Sequence, residues 1–133
     1  MKKVIVGVFE CGYEQIQLVL REGMGGEFYT CPEKGSLPRI KVGAYGPDEW
    51  KHVIACLMHE ITEFSMWRQD CRFYPDNRIM PRSHADYLFV MSHEKFNDCI
   101  TKVAEFIHIA LPELAKAYNA WHKPKPKKRG KKK

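Results

Sequence analysis

EQIQLVLREGMGGEFYTC, residues 14–31, decides the fold class. Ile16, Leu18 and Leu20 alternate with Gln15, Gln17, Val19 and Arg21. A period of two sends successive side chains to opposite faces, so this is a half-buried strand. The run Gly23-Met24-Gly25-Gly26 supplies residues that tolerate positive φ and marks a turn, after which Glu27 to Cys31 read as the hairpin partner. Upstream, KVIVGVF at 3–9 is nearly continuous in apolar, β-branched residues and reads as a buried strand. Downstream, PEKGSLP is a loop and RIKVGAY at 39–45 another strand. The first third is therefore a small antiparallel sheet, which argues against a helical bundle.

Beyond it the period changes. Gly46-Pro47-Asp48-Glu49 opens a helix, because proline suits the first helical turn and two acids face the positive end of the dipole. Apolar residues at 50, 53, 54, 57, 61 and 64 carry that helix to about Gln69. Residues 70–84, with two prolines, read as a long loop, and DYLFVM at 86–91 as a strand or the start of the next helix. Ser92 is placed to cap a last helix with Phe96, Ile100, Val103, Phe106, Ile107, Leu111 and Leu114 on its core face. Pro112 is expected to kink or split it. The expectation is an α+β domain over residues 1–121: a small antiparallel sheet packed on a central helix and a long C-terminal helical segment.

The totals agree with one domain. A chain of 133 residues, 44% apolar, can bury a core, and no run reaches the length that crosses a bilayer. MKKVIVGVFECGYEQ lacks a small-residue cleavage site, so no signal peptide is expected. Five cysteines, an odd number without a C-x-x-C pair, argue against a disulfide framework and for a reducing cytoplasm. The net charge of +6 belongs to the end: residues 122–133 hold seven lysines, one arginine and no acid. Without them 14 basic residues face 16 acidic ones. Prolines and like charges keep this tail disordered, and Lys125, Lys127, Lys128 and Arg129 are candidates for nonspecific, salt-sensitive association with nucleic acid. The plain alternative is a solubilising terminus.

Chemistry concentrates in CLMHEITEFSMW, residues 56–67. Around the helix, with Leu57 at zero, Trp50, Val53, Ile54, Ile61 and Phe64 fall within roughly ±60° and form the core stripe. Lys51, Thr62, Ser65 and Gln69 fall on the solvent side. His52, Cys56, His59 and Glu63 stack along one line between the two, and Glu60 lies between that line and the core. His59 and Glu63, four apart, bring an imidazole and a carboxylate close enough to share an ion such as zinc. Glu60 is then the candidate general base that takes a proton from water. A third ligand must come from elsewhere: His84 or Asp86 in SHADY, or His93. The competing reading is an ordinary amphipathic helix with solvated acids. A two-metal carboxylate site adding His93, Glu94 and Asp98, and a Cys56 nucleophile beside His52 or His59, are weaker, since acids near Cys56 disfavour its thiolate.

Over residues 14–107 the chain resembles the zincin-like metallopeptidases, which place an active-site helix after a few strands and a further ligand beyond it. HEITE at 59–63 carries the resemblance. It implies His59 as first ligand, Glu60 as catalytic base, zinc as cofactor and a protein or peptide amide as substrate. Glu63 stands where the family has a second histidine. The added negative charge weakens the polarising power of zinc, which implies either a degenerate, noncatalytic descendant or a preference for a harder ion, manganese or iron. A noncatalytic interaction or inhibitor protein that binds a macromolecular partner is the other expectation.

Overall fold

The structure is a computed structural model that describes residues 1–30, 33–46, 49–73, 88–124 and 130. Its elements follow in the order β1 (Lys3–Cys11), β2 (Glu14–Arg21), β3 (Gly26–Tyr29), β4 (Arg39–Gly43), α1 (Trp50–Arg68), β5 (Arg72–Phe73), β6 (Leu88–Phe89) and α2 (His93–Trp121). The first four strands form one sheet, in the order β1-β2-β4-β3, and both long helices pack on it. This is the expected α+β architecture. No helix among the described residues is long and apolar enough to cross a membrane.

The sheet is mixed rather than antiparallel. β2 pairs with β1 antiparallel, but its other neighbour is β4, which runs parallel to it with Leu18 beside Ile40 and Leu20 beside Val42. β3 is not the hairpin partner of β2: it pairs antiparallel with β4 at the far edge. Burial explains the insertion. Ile40 and Val42 are fully buried whereas β3 has no fully buried residue, so β4 gains more from the central position. The loop at 23–25 makes room for it: Gly23 and Gly25 adopt φ of 88° and 75°, and Gly25 O accepts from Gly43 N at 2.7 Å. A Cβ on Gly43 would collide with the backbone of Gly23 and Met24.

A second correction concerns β1, which is an edge strand and not a buried one. Phe9 and Cys11 face the core, while Val4, Ile5 and Val8 are exposed. A bulge lies between Ile5 and Gly7, which stand opposite Val19 and Leu18. The core gathers Ile16, Leu18 and Leu20 of β2, Ile40 and Val42 of β4, Val53, Leu57, Ile61 and Phe64 of α1, and Val103, Phe106, Ala110 and Leu114 of α2. Aromatic edges lock the layers: Phe9 meets Phe106 and Phe28 meets Phe64, each near 6 Å and close to perpendicular (5.8 Å and 84°, 5.9 Å and 87°).

The helices follow their sequence signals, with differences. α1 takes Glu49 at its N-cap with φ 51° and no side-chain capping bond, and the expected Pro47 and Asp48 lie outside the described residues. Ser65, assigned to solvent by its angle, is buried. α2 is a single helix through Pro112, capped as expected by Ser92, whose Oγ accepts from Lys95 N at 3.2 Å. Fully buried Ala110 and Leu114 on either side of the proline hold the two halves to the sheet. Phe96 and Ile100, expected in the core, are exposed, and Cys99 between them is the residue that those turns bury. Within the stretch read as loop, β5 and β6 pair antiparallel, Arg72 with Phe89 and Phe73 with Leu88.

Candidate functional site

α1 packs its apolar stripe on the sheet, which leaves the line His52, Cys56, His59 and Glu63 on its flank. Two contacts four residues apart form there. His52 Nε2 lies 3.5 Å from Cys56 Sγ, and His59 Nε2 lies 3.1 Å from Glu63 Oε2. The His59 side chain is 68% exposed and that of Glu63 only 15%, so the pair joins an accessible imidazole to a sheltered carboxylate.

Glu63 is held from its other side as well. Its Oε1 accepts from an Arg72 guanidinium nitrogen at 2.9 Å, and that guanidinium also lies over the Phe28 ring, 5.6 Å from its centroid. Glu63 is therefore fixed between α1's own histidine and a cation from β5. Arg72 falls within the stretch read as loop, and nothing in its local sequence signals this contact. Only the small β5–β6 ribbon brings it there.

Glu60 behaves differently. It is 8% exposed and its methylenes lie against β3, where a Cβ on Gly26 would come within 2.7 Å of Glu60 Cγ. Burial pushes its carboxyl above the usual carboxylate range; His59 pulls it down, and Glu63 and Glu27 push it up again. Its Oε1 is 4.0 Å from His59 Nε2. One imidazole nitrogen thus faces two acids of unlike character, one braced by a guanidinium and one desolvated.

In front of the pair opens a cleft of about 510 Å³ lined by Ala55, Met58, His59, Thr62, Glu63, Met66 and Phe89. Its walls are mostly apolar, and Met58 and Phe89 remain about half exposed (50% and 46%). Sequence periodicity cannot reveal this wall, because Phe89 belongs to β6 and not to α1.

Of the remaining candidates, those among the described residues are not gathered here. His93 is the exposed first residue of α2, and Asp98 pairs with Lys102 at 2.9 Å. Among the described residues no three His, Cys, Asp or Glu side chains stand together in a group that holds a metal ion. His84 and Asp86 lie outside the described residues, as do Lys125, Lys127, Lys128 and Arg129 of the tail. The Cys56 thiol is pushed up, first by burial and then by Glu60, which leaves it a poor nucleophile. The fold and the flank together define an α+β domain with a helix-borne His–Glu pair at the mouth of an apolar cleft. In comparison with known proteins, no family model matches the chain, and no curated protein or solved structure is similar to it.

Proposed function

We propose that the chain is a zincin-like metal-binding protein and a metal-dependent hydrolase of peptide or amide bonds. The observation that carries this reading is the 3.1 Å approach of His59 Nε2 to Glu63 Oε2 at the mouth of the apolar cleft. Two donors on one tetrahedral zinc, with bonds of ~2.0–2.2 Å, lie roughly 3.3 Å apart, so the pair is spaced to share an ion with little rearrangement. Arg72 engages Oε1 while Oε2 faces His59, and its charge offsets the carboxylate that replaces a neutral imidazole. His84 is the third ligand in this proposal, with His93 the alternative.

When bound, the ion supplies Lewis acidity toward water and a substrate carbonyl. Glu60 supplies the base: a desolvated carboxylate beside the site takes and returns a proton more readily than a solvated one. The cleft formed by Met58, Met66 and Phe89 receives an apolar side chain of the substrate. The site thus combines acid–base work at Glu60, binding at His59 and Glu63, and recognition at the methionines.

Metal analysis of untagged protein tests this directly. About one transition ion per chain is expected, lost in His59→Ala and Glu63→Ala while the far-ultraviolet circular dichroism stays unchanged. Glu60→Gln should keep the ion and lose hydrolysis of a peptide library. Protein without metal after saturation and dialysis, or His59→Ala with full metal content, overturns the proposal.

A further inference from the structure

β1 is nine residues long and lies at the edge of the sheet, and among the described residues no strand pairs with its outer side. An edge of that length, carrying exposed Ile5 and Val8, is a template for another strand. Its backbone geometry says which strand fits.

Lys2 O accepts from Glu22 N at 3.0 Å, so Lys2 faces β2; Gln17 N donates to Pro38 O at 2.9 Å, so Gln17 faces away from β1. Carried through the observed register, Val4, Gly7 and Phe9 turn their peptide groups toward β2, whereas Lys3, Ile5, Val8 and Glu10 turn theirs outward. The step from 5 to 8 is the bulge at Val6. The same four side chains stand on the sheet face away from the helices: Ile5 is 61% and Val8 44% exposed, and Lys3 and Glu10 are exposed too.

The bulge decides what symmetric pairing is possible. In a strictly alternating strand, a two-fold axis normal to the sheet can set a residue opposite only those an even number of positions away, because neighbours point to opposite faces. The extra residue at Val6 shifts that parity. Antiparallel pairing about the midpoint of Val6 and Gly7 sets Ile5 opposite the partner's Val8 and Lys3 opposite the partner's Glu10, with all four on one face and all their peptide groups aimed at each other. Each half then carries one apolar pair near the axis and one pair of opposite charges outside it. A bulge ordinarily spoils an edge for pairing; here it restores the match for a second copy of the same strand.

α2 adds surface at the axis. It runs antiparallel over β1, with Lys2 over Trp121, Phe9 against Phe106 and Cys11 Sγ near Lys102 O. Val6 and Gly7 therefore lie beneath the middle of α2. Ile109, 54% exposed, stands in that stretch roughly 180° around the helix from Tyr118. Tyr118 meets Trp50 of α1, so Ile109 occupies the opposite flank, toward the open edge.

We infer that the protein forms a homodimer by antiparallel β1–β1 pairing about Val6 and Gly7, which joins the two four-stranded sheets into one. The inference is independent of metal at the α1 flank. Sedimentation equilibrium of the full chain should show a monomer–dimer equilibrium in the micromolar range. Ile5→Lys, at a position already exposed in the monomer, should give folded monomer by circular dichroism. Lys3→Glu and Glu10→Lys should each weaken the dimer about tenfold, through two cross-strand pairs made repulsive, and the double reversal should restore it. A wild-type chain that stays monomeric into the millimolar range overturns the proposal. A dimer indifferent to Ile5→Lys, or charge reversals that add instead of cancelling, does the same.

Discussion

Two faces of α1 meet different fates although their residues interleave. On one face Val53, Leu57, Ile61 and Phe64 are buried with an exposure of 1% or less, and any large apolar side chain at that spacing would have found the same sheet. On the flank, Glu60 and Glu63 are the same residue type three positions apart, yet one is desolvated against Gly26 and the other is held by Arg72. Periodicity specifies the first face. Partners distant in sequence specify the second.

The largest test of this contrast is on the apolar face. Phe64→Ala removes a ring that packs edge-on against Phe28, and should cost about 3–5 kcal/mol in urea unfolding, with the far-ultraviolet spectrum retained. Gly26→Ala probes the flank from outside α1. Its new methyl group would meet Glu60 Cγ, so a loss of about 1–3 kcal/mol is expected, and Glu60→Ala in the same chain should recover most of it. Additive losses in that cycle would show that the two residues do not press on each other.

Smaller still is the end of the helix. Arg68 donates to both Glu14 oxygens and to Thr30 O, but both side chains are about one-third exposed, so Arg68→Ala should cost no more than about 1 kcal/mol and less at high salt. The smallest effect is distinguished by its sign. The folded state raises the Glu60 pKa above its ordinary 4.5, so the native chain binds the proton more tightly than the unfolded one. Stability is then lost as pH rises through the folded value and is unaffected below the unfolded value. In chelator-treated protein Glu60→Gln should be more stable than wild type at neutral pH, with the gain vanishing below about pH 4; a Gln variant less stable at pH 7 would contradict the burial argument.

Much of the fold was legible because it rests on local patterns. The alternation of Ile16, Leu18 and Leu20, the helical spacing of α1 and the Ser92 cap all stand where the sequence puts them. What could not be read depends on comparing strands. Nothing near Glu27–Tyr29 says that Ile40 and Val42 will displace it from β2, and an apolar run such as KVIVGVF reads alike at an edge and in the middle of a sheet. At the candidate site the angle of Glu60, between flank and core, is compatible with the burial that the structure shows. Arg72, Gly26 and Phe89 were invisible, since each reaches the flank of α1 from another element.

The placement of β4 has a consequence in time. β2 and β3 leave the ribosome one after the other, and for a while each is the other's nearest available neighbour. The finished sheet requires them to stand two strand spacings apart, roughly 10 Å, with a later segment threaded into the gap. A premature ribbon between them would have to open before synthesis reached its goal. The glycines at 23, 25 and 43 form the clasp at the mouth of that gap, and a side chain at 43 would meet the backbone of Gly23 and Met24 and obstruct the entry of β4.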